Sequence, residues 1–151
     1  MPQYAFPSPL GELTVTEENR SIIALDWGRG CDSVETPLLK KVRTYLDDYF
    51  DGKDRKLDIP LGPQGTEFQV RVWRALEAIP YGTTRSYGEL AKTLHSAPRA
   101  IGGACGRNPI PILIPCHRVL AAGGLSGGYT APGGLTTKSY LLNLEGVQLT
   151  P

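Results

Sequence analysis

The stretch Ile59-Pro-Leu-Gly-Pro-Gln-Gly65 packs two prolines and two glycines into seven residues, a run through which neither a helix nor an inner strand continues. It divides the 151-residue chain into two parts with different hydrophobic periods. Upstream, residues 3–27 alternate at the two-residue period of a strand. Leu13 and Val15 lie in one run and Ile23, Leu25 and Trp27 in the next, parted by the polar turn Glu17-Glu-Asn-Arg20, while Pro9-Leu-Gly11 turns the chain earlier. A small antiparallel sheet is expected there. Thr36-Pro37 then opens a helix, since threonine caps an N-terminus and proline suits the first helical position. Leu39, Val42, Leu46, Tyr49 and Phe50 form its apolar stripe, Gly52 ends it, and the stripe is expected to cover one face of the sheet. The expected organisation is an N-terminal domain over residues 1–58, a linker over 59–65 and a C-terminal domain over 66–151.

Downstream the period is helical. Thr66-Glu-Phe-Gln69 is a capping box, and Phe68, Val72, Ala75, Leu76 and Ile79 follow at helical spacing until Pro80 and Gly82 stop the helix. Ser86-Tyr-Gly-Glu89 is a second capping box opening a short helix through Leu94, with Tyr87 in its first turn. Ser96-Ala-Pro98 starts a third, running from Arg99 to about Arg107, so the pair predicts a helix-turn-helix whose second member is the recognition helix. The last helix is expected over Thr137 to Glu145, with Tyr140, Leu141 and Leu144 inward and Gly146 as its stop. The fold class is therefore α/β, in the α+β sense: a sheet-and-helix domain followed by a helix-turn-helix domain.

Gly102 and Gly103 break a propensity rule, since each mid-helix glycine costs about 1 kcal/mol relative to alanine. With Ala100 and Ala104 they leave a helix face almost bare. Such a face serves either close packing against another helix or a helix pressed into a DNA groove without reading bases. Charge bears on the choice. Residues 1–65 hold eight Lys and Arg against eleven Asp and Glu, a balance of −3, and residues 66–151 hold eight against four, a balance of +4. A basic half is what facing phosphates requires, although charges this few also suit plain solvated surface.

Ile110-Pro-Ile-Leu-Ile-Pro115 reads as a buried connection that delivers Cys116 directly into His117 and Arg118. A thiol after such a run is either inert packing or a nucleophile. His117 favours the second, because a nearby imidazole takes the thiol proton and leaves a thiolate. Neighbours on an extended chain point apart, so a tight turn or a bridging water is needed between thiol and imidazole. Glu145 stands at a helix C-terminus, where the dipole disfavours a carboxylate. It is either a solvated glutamate, tolerated at a few tenths of a kcal/mol, or the partner that orients His117 as the third group of a hydrolase triad does. Asn108-Pro109 ends the recognition helix, and an asparagine there forms a turn. Leu120 to Gly134 is a glycine-rich loop, either merely flexible or, beside a nucleophile, a pocket wall in which Tyr129 offers a π-face to a flipped base.

From Tyr87 to Glu145 the chain resembles the O6-alkylguanine-DNA alkyltransferases. The matching pieces, in the family's order, are Arg99-Ala-Ile-Gly-Gly-Ala104, Asn108-Pro109, Ile114-Pro-Cys-His-Arg-Val119, Gly128-Tyr129, and Leu141-Leu142 followed by Glu145-Gly146. The resemblance implies a ribonuclease-H-like N-terminal domain. It further implies repair of double-stranded DNA by irreversible, once-only transfer of an alkyl group from O6-alkylguanine, and from O4-alkylthymine, to Cys116. In that reading Ala100, Gly102 and Gly103 lie in the minor groove and Arg99 fills the gap left by the extruded base. Tyr87 hydrogen-bonds or protonates that base. The backbone carbonyls of Cys116 and Val119 accept from the guanine amine, and Tyr129 and Thr130 belong to the matching loop. Asn108 ties the recognition helix to the active-site segment, and Glu145 orients His117. Ala131-Pro132 stands as an insertion relative to the family, with pocket width as its expected effect. Some relatives carry zinc near the N-terminus, but the cysteine and histidine ligands for it are missing here, so neither metal nor cofactor is expected.

Two rivals use the same residues. A thiol hydrolase would turn over repeatedly and needs oxyanion donors, whereas a non-reactive damage-binding protein would only recruit others and would have no use for Cys116. Cys31, Cys105 and Cys116 form no even framework and no Cys-x-x-Cys pair, and His95 and His117 are the only histidines. No apolar run approaches the roughly 20 residues of a membrane span, and Met-Pro-Gln-Tyr does not begin a signal peptide. The expectation is a reduced, cytoplasmic monomer, nucleoid-associated in a prokaryotic cell, with no membrane partner.

Overall fold

The structure is a computed structural model that describes residues 1–30 and 33–148; Cys31 lies outside the described residues. The chain divides into two compact units, Met1–Gln64 and Gly65–Pro151.

In the first unit, β1 (Gln3–Ser8), β2 (Gly11–Glu18) and β3 (Ser21–Trp27) form an antiparallel sheet in sequence order. Asn19 and Arg20, at φ 51° and 61°, make the tight turn between β2 and β3. Central β2 is paired along both edges, and both of its faces are covered as well: Leu13 and Val15 are fully buried on one side, Thr14 and Thr16 are buried on the other. Thr14 lies against the segment after β3, donating to the Gly28 carbonyl at 2.6 Å and accepting from the Gly30 N–H at 2.8 Å. Helix α1 (Pro37–Phe50) starts as its sequence requires, with the Thr36 hydroxyl accepting from the Leu39 N–H at 3.1 Å and Pro37 at the first position. Its buried stripe is Leu39, Val42, Leu46 and Tyr49; Phe50 is only half-buried. The Pro- and Gly-rich stretch runs beside β3 over its first half. Ile59 and Leu61 are buried, the Ile22 N–H donates to Pro60 O at 2.9 Å, and the Gly62 N–H donates to Ile22 O at 2.8 Å.

The second unit holds α2 (Glu67–Glu77), β4 (Arg85–Ser86), α3 (Tyr87–Thr93), α4 (Pro98–Gly106), a one-turn 3-10 segment at Cys116–Arg118, β5 (Val119–Leu120) and α5 (Leu135–Leu144). Both expected capping boxes are present, at Thr66/Gln69 and at Ser86/Glu89. The buried face of α2 includes Trp73, which its sequence stripe leaves out. The indole N–H donates to the Ala104 carbonyl at 2.9 Å, fastening α2 to α4. Strands β4 and β5 pair in parallel, Arg85 with Val119 and Ser86 with Leu120. That short ladder sets the start of α3, and so Tyr87, alongside the segment that leaves Cys116. No described helix is long and apolar enough to cross a membrane.

Helix α5 turns Leu141 inward as expected and corrects the places of Tyr140 and Leu144. It starts at Leu135, and its buried residues are Thr137, Lys138, Leu141 and Leu142. Tyr140 is 37% exposed and Leu144 is half-buried. The sequence reading took the apolar residues to face inward, whereas the helix turns its one charged residue into the unit.

Candidate active site

The segment from Asn108 to Val119 is stiff and buried. Asn108 bridges it, donating from Nδ2 to the Ile114 carbonyl at 2.8 Å while its Oδ1 accepts from the Ile110 N–H at 2.9 Å. Both bonds join Asn108 to the segment that follows it, within residues 108–114. Ile112 lies at φ 72°, a left-handed conformation that costs a β-branched residue about 1–3 kcal/mol. Ile110, Ile112, Leu113 and Ile114 are all buried, so packing holds that conformation. Cys116–Arg118 forms a tight 3-10 turn in which all three residues are buried.

Cys116 lines a cavity of about 450 Å³ together with Tyr87, Arg99, Gly102, Tyr129 and Thr130. Pro98, Cys105, Gly106 and Gly128 complete the wall, and Cys105 went unremarked as a pocket residue in the sequence. Burial pushes the Cys116 thiol up from its ordinary value, while a hydrogen bond from Asn108 and the Lys138 ammonium pull it back. The net direction is up, so Cys116 rests as a thiol. The Cys105 thiol is pushed up to about 12, chiefly by burial and then by Cys116. It stays protonated and unreactive.

His117 is fully buried, and its Nε2 lies 2.7 Å from Oε2 of Glu145. A carboxylate only accepts, so Nε2 carries the hydrogen and Nδ1 is the basic nitrogen. Burial lowers the imidazole below its usual range and Glu145 works against that, leaving a neutral ring at neutral pH. Glu145 itself caps the C-terminus of α5 and is buried, which removes the solvated-surface reading. The residue that makes this burial tolerable, absent from the expected site, is Arg118. Its Nε donates to Oε1 of Glu145 at 2.8 Å, Nη2 donates to Oε2 at 3.2 Å, and Nη1 donates to the Ile79 carbonyl at 2.7 Å. The Gly82 N–H donates to Oε1 at 3.1 Å.

A second buried cation went unnoticed in the sequence. Lys138 Nζ donates to the carbonyls of Val119 at 2.7 Å, Gly128 at 3.2 Å and Ser126, and no carboxylate pairs with it among the described residues. Burial lowers it to about 8, against the opposing pull of Cys116 and Cys105. Lys138 therefore clips the glycine-rich loop to the end of the active-site segment, converting a flexible composition into a wall. Lys138 is the one charge in α5 and shares a face with Leu141 and Leu142, which is the signal that could have found it.

Tyr87 and Tyr129 stand in the wall. Burial, then Cys105 and Cys116, push Tyr87 up to about 12, so its hydroxyl is a neutral donor. The loop lies so close to its ring that a Cβ on Gly127 would sit 2.9 Å from Tyr87 Cε2, and Gly127 has φ 66°. Burial also raises Tyr129, whose hydroxyl is buried without a hydrogen-bond partner among the described residues. Ala131 and Pro132 do not line the cavity. They form the turn before α5, where the Thr137 hydroxyl donates to Pro132 O at 2.6 Å.

On α4, Arg99 and Ala100 are exposed while Ile101, Ala104 and Cys105 are buried. An added Cβ at Gly103 would meet nothing within 4 Å, and one at Gly102 would meet Tyr87 Cε1 at 3.9 Å. Close helix packing therefore does not account for Gly103, which sits on an open face. Arg99 occupies the place where that face meets the cavity mouth.

Residues 67–147 match the family described as 6-O-methylguanine DNA methyltransferase, DNA binding domain, and residues 4–63 match its ribonuclease-like domain. The chain is similar to the methylated-DNA--protein-cysteine methyltransferase of Methanosarcina acetivorans, 40% identical over 93% of this chain and 96% of that protein. The constitutive methylated-DNA--protein-cysteine methyltransferase of Bacillus subtilis is 41% identical over 91% of each. Among solved structures, Mycobacterium tuberculosis OGT in complex with DNA superposes with a TM-score of 0.86 at 38% identity, covering 96% of this chain and 92% of that one.

Proposed function

The chain belongs to the 6-O-methylguanine DNA methyltransferase family, and from that premise we propose how its own residues carry out the repair. It is a DNA-repair protein that transfers the alkyl group of O6-alkylguanine in double-stranded DNA directly to its own cysteine. The nucleophile is Cys116. With α4 against the duplex, Ala100 and Gly103 allow the backbone to approach, and Arg99 takes the place of the extruded nucleotide. The base enters the cavity between Tyr87 and Tyr129, its amine donating to the backbone carbonyls of Cys116 and Val119, with Thr130 at the loop edge.

Neutral His117, held by Glu145, accepts the thiol proton at Nδ1 through a bridging water. The thiolate then attacks the alkyl carbon in line. A carbon–sulfur bond forms as the carbon–O6 bond breaks, its electron pair leaves with guanine, and the base takes up a proton with Tyr87 as hydrogen-bond donor. Water does not cleave the resulting thioether under mild conditions, so each molecule acts once, on O6-alkylguanine or on O4-alkylthymine. The setting is the cytoplasm, on the nucleoid where the cell is prokaryotic, with the chain acting as a monomer.

The observation that carries this reading is the position of a buried thiol on the wall of a cavity, one residue from a neutral imidazole paired at 2.7 Å with Glu145. Intact-mass spectrometry after incubation with DNA containing O6-methylguanine tests it. The expected result is a gain of one methyl group on Cys116 and none in Cys116→Ala. Repeated turnover of small esters without a mass gain would indicate a thiol hydrolase, and tight binding with neither would indicate a damage-recruiting protein.

A further inference from the structure

A carboxylate hydrogen-bonded to an imidazole pulls the ring toward its charged, imidazolium form, a pull that burial opposes. The imidazolium form cannot take a proton from a thiol. Here the carboxylate has a second claimant. Arg118 engages both Glu145 oxygens, one through Nε at 2.8 Å and the other, which His117 also uses, through Nη2 at 3.2 Å.

The guanidinium is itself held from two further sides, and one of those holders is anchored in turn. Nη1 donates to the Ile79 carbonyl at 2.7 Å, the Tyr81 ring centroid lies 5.9 Å from Cζ, and the Tyr81 hydroxyl donates to the Leu144 carbonyl at 3.2 Å. The turn after α2 and the end of α5 thus clamp one cation against one carboxylate. The charged groups acting on His117 are Glu145 and Lys138, presented by the cap of α5 and by α5 itself, and Arg118 on its own turn. Burial is the largest influence against the charged ring, Glu145 favours it, and the two cations add to the opposition. Arg118 is the nearer competitor, because it binds the same oxygen.

We propose that Arg118 is a positioning residue that holds Glu145 as a carboxylate already matched by a fixed cation, so that Glu145 orients His117 without charging it. The His117–Glu145 pair is thereby kept one proton short at neutral pH. An arginine suits this role because it never gives up its proton and its planar fork meets both oxygens, which a lysine ammonium cannot do. The proposal rests on His117 serving as the base, and two separate readouts keep the ideas apart.

The first readout is the imidazole nitrogen NMR titration, simplified because the chain holds only His95 and His117. In Arg118→Met the His117 titration is expected to climb by about one pH unit or more, because a like charge a few ångströms away no longer disfavours the imidazolium. In Arg118→Lys, which keeps a cation with poorer geometry, it is expected to climb part of the way. His95 reports any general change and should not move. If Arg118→Met does not fold, Arg118→Lys carries the test alone. A His117 titration in the folded variant that coincides with wild type overturns the proposal.

The second readout is the pH dependence of Cys116 alkylation by O6-benzylguanine. Its acid limb is expected to rise with the His117 titration, with a loss approaching about tenfold at pH values below the wild-type titration that is recovered at higher pH. A titration that moves while the acid limb stays in place supports the role given to Arg118 and refutes His117 as the base. A uniform slowing at every pH with an unmoved titration makes Arg118 merely structural and overturns the proposal.

Discussion

Replacing Glu145 with Gln tests how much of the active site is also structural scaffold. The sequence alone places this residue at an unfavourable helix end, where loss of its charge would cost a few tenths of a kcal/mol or even help. The structure reverses that expectation. The carboxylate is buried and accepts from His117, from Arg118 through two nitrogens and from the Gly82 N–H. A glutamine offers one acceptor oxygen, and its amide group would face donors. It would also leave the Arg118 guanidinium buried without its counter-charge. Breaking one side of a buried pair costs about 3–5 kcal/mol, a large share of the roughly 5–15 kcal/mol that stabilises a domain. For a unit of this size each kcal/mol moves Tm by about 4–8 °C, so a fall well beyond about 10 °C is expected. Calorimetry or circular dichroism of the variant measures it, and mass spectrometry below the lowered Tm measures methyl transfer, which should also slow. A Tm within about 2 °C of wild type would refute the argument, because Arg118 would then have found its compensation elsewhere.

Arg99→Ala is expected to slow repair of duplex DNA far more than reaction with free O6-benzylguanine, since a free base needs no extrusion; equal losses would make Arg99 a structural residue. Lys138 is held at about 8 in the folded chain against an ordinary 10.5. A depressed value means its contribution is fully present above 10.5 and is lost as pH falls through 8, amounting to about 3 kcal/mol. Wild type should therefore gain stability relative to Lys138→Met as pH rises from about 8 to 10.5; melting curves that stay parallel across that window would contradict it. Gly127→Ala should strain a left-handed residue and push its Cβ into the Tyr87 ring, lowering both Tm and transfer rate; an unchanged rate would show that the loop wall is not needed for the chemistry.

The fold was legible wherever local chemistry decides it. Strand alternation, the Thr36-Pro37 cap and the two capping boxes each concern residues a few positions apart, and each appears as its sequence requires. Burial of charge was not legible, because it depends on partners far along the chain. Arg118 reaches Ile79 and Glu145, and Lys138 reaches Val119 and Ser126, across separations no local pattern encodes. The same blindness misplaced two residues of α5. An apolar-inward rule selects Tyr140 and Leu144, whereas satisfying a cluster of loop carbonyls selects Lys138 and Thr137. Trp73 was missed for a related reason, since its indole N–H needed an acceptor that only the packed α4 provides. At the site, Cys116, His117 and Glu145 stood out by residue type, but their working states follow from neighbours the sequence does not single out.

The burial that raises the Cys116 thiol also bears on what a single-use reagent must avoid. A thiolate open to solvent would meet peroxides and soluble alkylating agents continually, and each such encounter would spend the molecule without mending any DNA. A protonated thiol in a wall is slow toward such passing reagents. Reactivity then depends on an occupant that fills the cavity and sets its carbon in line with sulfur. Selectivity for a lesion is thus joined to shelf life, and the same few ångströms of packing supply both.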